Sequence, residues 1–544
     1  MKEEVFNLLE EPWIRVLQPD CTVREVSLTD ALLHAQAYTD LAGELATQDV
    51  AVLRLLLAVL HTVFSRADTD GQAAPFRSTD EALARWKSLW QLGHFPEKPI
   101  RAYLAAWRDR FWLFHPERPF WQVPAAEIGT EYTAAKLNGE LSESDHKLRL
   151  FSAYAGAGKA EMGYAQAARW LLYINGYDDS SNKPKGKDLP SPGVGWLGKL
   201  GLIQATGKNL FETLMLNLVL LRDGETLWQP ALPSWELEHS RSGERTEVPP
   251  PDNPAALLTL QSRRLLLHRS GDKVVGYSLL SGDFFSPENA FCEQMTVWKT
   301  GRTTKNAPPS YWPRRHDPAK QFWREFPAVF VQRPGIHQPG IVRWIAVLQN
   351  PQSHILDKKT VVHFRIAAVE YGDKDFFVSD TFSDELSFHA SLLDEMGKGW
   401  QRIITEEIGR CEEVAKAVGD LTKDLAVAAG DKNQAAPQDA KEQFYFQIDQ
   451  PFRQWLHGID PDWESQETAA SRCAWQTQVR KIARRLGTRL AEQAGTAAFA
   501  GRSIDIKPGR GKKEAETRRH CSAPEAYLAF LRRIARIYTE KGGV

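Results

Sequence analysis

Apolar positions along this chain follow one texture up to about Phe382 and another beyond it. In the first stretch, short strand-like runs, helical periods and long Pro/Gly-rich connections are mixed. Two strand-like runs open the chain, one carrying Trp13 and Ile14 and one over Val23–Leu28. A helix beginning near Thr47 is predicted next, with Thr47 as N-cap and Asp49 at the positive end of its dipole. From Val50 to Phe64 it is apolar on nearly every face, which predicts a buried helix. Further strands are predicted over Leu257–His268, Lys273–Leu280, Ile341–Gln349 and Val361–Glu370. A turn at Ser270-Gly271-Asp272 makes Arg264–Arg269 and Val274–Leu280 a hairpin. Helical periods fall at Thr79–Leu92, Tyr164–Asn175 and Phe211–Leu221. The expected fold class for residues 1–382 is α+β, one large irregular mixed domain with long loops.

Beyond Phe382, Leu393, Met396, Trp400, Ile404, Ile408 and Cys411 begin a series at steps of three and four that continues to Leu425. It predicts one long amphipathic helix, or two joined near Gly397 or Gly419. A second helix is expected over Ala440–Leu456, bent or interrupted by Pro451. Trp475, Val479, Ile482, Leu486 and Leu490 mark a third. The last opens with a capping box, Ser522 and Glu525, and runs through Tyr527, Leu531, Ile534 and Tyr538. Gly501–Arg519, which holds Lys507, Arg510, Lys512, Lys513, Arg518 and Arg519, reads as a mobile polar insertion. Residues 383–544 are therefore expected to form a C-terminal four-helix bundle.

The formal net charge of the 544 residues is −1, which says nothing about partners, but its distribution does. Ser471–Val544 holds 17 Lys and Arg against 6 Asp and Glu, a net +11. Such a basic face is the usual footprint of phosphate binding, with a solvated helical surface as the bland alternative. The five cysteines are far apart and form no Cys-x-x-Cys pair, against a disulfide scaffold or a Cys-rich zinc site. This cysteine usage fits a reducing cytoplasm. With no signal peptide or charge-free apolar run of about 18 residues, a soluble cytoplasmic protein without a membrane partner is expected.

Several motifs suggest chemistry and then fail on it. Gly193-Val-Gly195-Trp-Leu-Gly198 fits G-x-G-x-x-G, and with Lys199 it approaches a P-loop. Leu200 stands where magnesium needs a hydroxyl, and Pro190 and Pro192 break the strand that should lead in. Glycines here permit close backbone approach to another surface, or a tight turn packing Trp196. Gly156-Ala-Gly158-Lys159 fails in the same way, with Ala160 after the lysine. His316-Asp317 looks like half of an HD metal-phosphohydrolase site, yet Pro318 puts the pair in a turn and no further ligands are evident. The residues around it (Trp312, Arg314, Arg315, Lys320, Trp323, Arg324) read as a basic-aromatic surface or a domain seam. No catalytic site, metal site or cofactor is expected.

The opening run Phe6-Asn-Leu-Leu-Glu-Glu-Pro-Trp-Ile-Arg15 and the Leu41-Ala-Gly-Glu44 that follows resemble the start of the CasA-type large subunit of the type I-E CRISPR surveillance complex, Cascade. The resemblance continues in order through Phe114–Phe120, Lys136–Ser144, Gly195–Lys199, Asn209–Thr213, Leu260–Arg264 and Arg314–Pro318. It spans roughly residues 6 to 540. It implies a non-catalytic subunit that recognises a protospacer-adjacent motif (PAM) in duplex DNA, promotes strand opening and R-loop formation, and recruits a helicase–nuclease. The implied partners are the other Cascade subunits, the guide RNA, the duplex target and that nuclease.

By the same resemblance, Gly193, Gly195, Gly198 and Lys199 correspond to the glycine-rich loop at the PAM, and the Ser142–Gly163 segment to a loop reaching partner subunits and the guide or target. Lys299, with Arg302 close by, is the candidate minor-groove finger. Relatives carry an amide pair after Tyr-Gly, one Gln of which wedges into the duplex. In Tyr371-Gly372-Asp-Lys374-Asp375-Phe376 those positions hold Lys374 and Asp375, so Lys374 or Phe376 is the wedge here or the loop is shifted. The bundle residues Arg480, Lys481, Arg484, Arg485, Arg532, Arg533 and Arg536 would hold phosphates without reading sequence. Two other readings stand beside this one: a divergent scaffold subunit without PAM reading, and a metal-dependent phosphohydrolase on His316 and Asp317.

Overall fold

The computed structural model describes residues 4–138, 154, 156–181, 188–239, 241–301, 308–333, 335–350, 355–357, 359–431, 436–506 and 517–539. The chain divides into two compact units, Met1–Leu386 and Ser387–Val544.

In the first unit the apolar helix predicted near Thr47 runs over Ala46–Arg66 and is buried at Thr47, Gln48 and every position from Val50 to Phe64. Its length and mean hydropathy of 1.5 would suit a membrane span, but 94% of that window is buried inside the unit, so it is the core helix. Thr47 is not its cap. Leu45 takes that position, and Thr47 lies in the first turn with its hydroxyl buried and unpartnered. Asp49 and Gln48 instead reach back to the Gly43 and Glu44 amides, at 2.7 and 3.1 Å. Burial is the main force pushing the Asp49 carboxyl up to about 7. The helices Tyr164–Tyr177 and Pro254–Leu258 pack on this core helix.

Around it stand small sheets of two or three strands. The predicted hairpin pairs Arg263–Ser270 with Lys273–Ser281, Arg264 opposite Leu280, with a register slip between His268 and Arg269. Thr130–Thr133 completes that sheet. A second sheet has the order Val378–His389, Val361–Tyr371, Ile203–Thr206.

Three predicted boundaries shift. Leu257–His268 divides into the end of the Pro254–Leu258 helix and the start of the Arg263–Ser270 strand. The helix expected over Phe211–Leu221 spans Leu210–Asn217, capped by Asn209, and Leu221 begins a short strand. Ile341–Gln349, expected as a strand from its β-branched residues, is helical over Gly340–Gln349. Ile341, Trp344, Ile345 and Leu348 are all fully buried at helical spacing, so tertiary packing outweighed local propensity.

The second unit is helical, matching the expected class: Lys398–Ala429, Ala436–His457, Ser465–Gln493 and Ala523–Thr539. The first is a single helix through Gly419, but it begins after Leu393 and Met396, and Met396 is exposed. The second runs through Pro451 without interruption. Burial of Ile448, Phe452 and Leu456 on both sides of the proline offsets the lost backbone bond. A reciprocal capping box opens the third helix at Glu464 and Glu467. The insertion read as mobile has paired flanks, Arg502–Ile506 against Thr517–Cys521. Lys507, Arg510, Lys512 and Lys513 lie outside the described residues.

Candidate nucleic-acid interface

Two segments far apart in sequence meet at one place in the first unit. The Gly193–Lys199 segment passes the C-terminal end of the Tyr164–Tyr177 helix, where the Gly195 amide donates to the Asp178 carbonyl at 2.8 Å. A Cβ on Gly195 would lie 2.4 Å from the Gly176 carbonyl oxygen, and one on Gly198 2.1 Å from the Tyr371 hydroxyl. Those two glycines are therefore filled by the chain's own backbone and by Tyr371. Tyr371 itself donates to the Tyr177 carbonyl at 2.7 Å, tying the second segment to the same helix end. Gly193 differs: its φ is +62° and a Cβ there would meet nothing. It is the glycine of the motif that leaves backbone open for another molecule to approach.

The segment is anchored from beneath. Trp196 is buried and its indole donates to Glu293 at 2.9 Å, while Arg54 from the core helix grips the same carboxylate with two bonds of 2.9 Å. Arg263 donates to Asp178 at 2.5 Å and to the Gly193 carbonyl at 2.7 Å, fixing the turn.

Lys199 follows the turn, partly buried, with no ion pair among the described residues. Burial, and then the charges of Arg263, Arg245 and Arg315, push its ammonium down to about 8. Arg245 lies over the Phe284 ring at 3.8 Å and donates to the Pro190 carbonyl. Lys199 and Arg245 thus bring positive charge near the open Gly193 backbone, with Arg315 beside them already paired to Asp375, an arrangement that suits a phosphate. Lys199 stands out in the sequence, whereas Arg245 sits in a Pro-rich stretch with no pattern to mark it.

Gly372 is filled, since a Cβ there would strike the Phe377 ring at 2.1 Å. Lys374 and Asp375 both have left-handed backbone, φ +52° and +62°. Ser180 pins them, its hydroxyl donating to the Lys374 carbonyl and its amide to the Asp375 carbonyl, each at 2.8 Å. Asp375 takes a two-pronged pair from Arg315 at 2.8 and 3.0 Å. Arg315 also lies 4.9 Å from the Tyr371 ring centroid. What the loop exposes is Asp373, Lys374 and Phe376.

Lys299 is exposed on the Trp298–Thr300 strand, opposite Trp312 of Tyr311–Pro313. Arg302 lies outside the described residues, as do Lys305 and much of the Ser142–Gly163 segment. Along the run from Trp312 to Arg324, Trp312 and Lys320 are exposed, Arg314 pairs with Glu325, and Trp323 is fully buried.

His316 offers no metal site. Its ring is buried, its Nε2 lies 2.9 Å from the Leu202 carbonyl, and burial pushes it down to about 4. Asp317 is exposed and accepts from the Ala319 amide. Among the described residues no three His, Cys, Asp or Glu gather to hold a metal. Among the described residues, His316 and Asp317 therefore have no third ligand beside them.

In the second unit Lys481, Arg484 and Arg485 recur along one exposed stripe of the Ser465–Gln493 helix, joined by Arg489. Arg532 and Arg536 are exposed on the neighbouring Ala523–Thr539 helix. Of the predicted residues, Arg533 pairs with Asp420, and Arg480 lies over the Tyr538 ring at 5.6 Å.

The fold and this geometry define a large α+β protein with a helical C-terminal region and cationic surfaces. The family model for CRISPR-associated protein Cse1 matches residues 7–486, and the chain belongs to that family. It is 32% identical over 342 residues to a CRISPR-associated protein CasA/Cse1 of Thermus thermophilus, a match covering 61% of each chain. The crystal structure of Thermobifida fusca Cse1 superposes with a TM-score of 0.82 at 28% identity, covering 98% of both chains. A chain of a solved CRISPR RNA-guided surveillance complex shares the fold, with a TM-score of 0.65, 17% identity, and 98% of this chain and 99% of that one covered.

Proposed function

We propose that this chain is the large, non-catalytic subunit of a type I-E Cascade complex. It tests duplex DNA for a short PAM, helps to open the duplex for the guide RNA, and recruits the helicase–nuclease that cuts. Family membership supports the reading, as does the shared fold with a chain of an RNA-guided surveillance complex. The observation that carries it is the meeting of the open Gly193 backbone, the partly buried Lys199 and the Lys374–Phe376 loop at one cationic place. Backbone and cations hold the duplex there, Lys299 reaches a groove, and Phe376 or Lys374 presses between base pairs. The exposed bundle arginines and lysine take up displaced-strand phosphates.

The Arg315–Asp375 pair favours a second reading, in which the loop is locked and the subunit serves as a scaffold without PAM reading. The two separate in one assay. Assembled complex, with and without this chain, is mixed with a target duplex carrying 2-aminopurine beside the PAM. A fluorescence rise that needs both this chain and an intact PAM supports the first reading. A rise indifferent to the PAM supports the scaffold.

A further inference from the structure

Another cationic place in the first unit has no part in PAM reading as proposed. Arg110, Arg118 and Arg241 line a cavity of about 60 Å³ with Trp121, Trp235 and Gln261, and no carboxylate lines it among the described residues. Arg110 ends the short turn Arg108–Arg110. Arg118 sits in a turn fixed by His115 Nδ1, which accepts from the Glu117 and Arg118 amides at 3.0 Å each. Neither arginine has an ion pair among the described residues. Burial, then the neighbouring Arg118 charge, holds the Arg110 guanidinium below its ordinary range, a sign of cations that lack an anion. Arg241 reaches Asp283 at 3.2 Å, a carboxylate already held by Arg264 at 2.6 Å.

The second observation is Trp121. It is 8% exposed, its backbone is left-handed at φ +60°, and its buried indole Nε1 has no acceptor. A ligand acceptor in the cavity would satisfy this donor. The small cavity also shares Ser234, Leu237, Arg241 and Gln261 with a larger one of about 400 Å³. Its further walls are apolar at Leu232, Val248, Pro249, Pro250, Pro251 and Leu260, with the carboxylates Asp252 and Asp283 also on its lining and Asp283 turned to Arg241 and Arg264. Hydrogen bonds from the Ser234 amide to Thr259 and from the Leu232 amide to Asn253 brace that wall. The volume is that of a small-ligand site.

We propose that the joined cavities bind a nucleoside monophosphate, its phosphate among Arg110, Arg118 and Arg241 and its base and sugar against the Pro249–Leu260 wall. Guanidinium forks match phosphate oxygens, the Trp121 indole gives one more donor, and the apolar wall with the Gln261 amide takes the base. The test is calorimetry on the full chain with the four nucleoside 5′-monophosphates, adenosine and inorganic phosphate. Saturable binding of a monophosphate is expected, with adenosine and inorganic phosphate weaker. Arg110→Gln and Arg118→Gln should each weaken it by about tenfold or more without moving the ligand-free melting midpoint. Ala256→Trp, at a residue that lines the larger cavity and not the smaller one, should remove monophosphate binding and keep inorganic phosphate binding. A 5′-phosphorylated trinucleotide that binds as well, when its 5′-hydroxyl form does not, would identify the source as a strand end. Absence of saturable monophosphate binding, or binding unmoved by all three variants, overturns the proposal.

Discussion

Lys199 carries a charge that its surroundings disfavour, because burial and three arginines oppose it. A lysine lowered to about 8 is protonated in the unfolded chain up to its ordinary range near 10.5. Its charge therefore costs stability below about pH 8, and that cost fades as pH rises towards 10.5. A phosphate at this place reverses the preference. DNA affinity should fall as pH rises through about 8, and Lys199→Met should weaken binding and flatten that part of the profile. Melting of Lys199→Met should be unchanged or raised; a gel-shift series across pH together with a melting curve checks both. Asp375 acts in the other direction. Its carboxylate occupies the Arg315 fork and repels phosphate, so Asp375→Asn should tighten duplex binding by a few-fold. The half-exposed pair contributes at most about 1 kcal/mol to stability, so its melting should barely move. Weaker binding by Asp375→Asn would mean that the loop conformation matters more than the freed arginine.

The Gly193–Lys199 segment keeps its course because Gly198 leaves room for Tyr371 and because Trp196 is bolted to Glu293 and Arg54. Gly198→Ala should cost about 1–3 kcal/mol, seen as a lower melting temperature, since neither the carbon nor the tyrosine can yield easily. Arg54→Met should cost about 3–5 kcal/mol, because it strands a fully buried carboxylate. At this scale the sequence was legible wherever one face decides. The Ala46–Arg66 core helix, the Arg263–Ser281 hairpin and the four long C-terminal helices follow from apolar spacing and one turn signal. Ile341–Gln349 was misread because a fully buried helix and a buried strand share an apolar, β-branched composition. Thr47 was misread because Asp49 and Gln48 cap the entering loop from inside the helix, a tertiary arrangement with no local sign. The site was half legible: its glycines, Lys199 and the Lys374–Asp375 departure stand out. Arg245 and Arg315 become part of it only when distant segments meet, and nothing local marks Asp375 as the partner of Arg315.

For the whole molecule, the proposed division of labour gives the first unit the reading of a short motif and the second a sequence-blind hold on phosphate. Replacing Lys481, Arg484, Arg485 and Arg489 together by alanine should lower affinity equally for all duplexes. It should also make the salt dependence shallower, by about 0.9 in slope for each phosphate left unneutralised. Stability should change little, since these exposed side chains hold no carboxylate among the described residues. The central claim, that this chain reads a PAM, is tested most directly by selection from randomised sequence. Assembled complex with and without the chain would be incubated with target duplexes carrying a random PAM, and the bound fraction sequenced. A motif enriched only when the chain is present, and weakened by Lys199→Met, is the predicted result. Equal binding of all sequences, at unchanged affinity and with no effect of Lys199→Met, would contradict it.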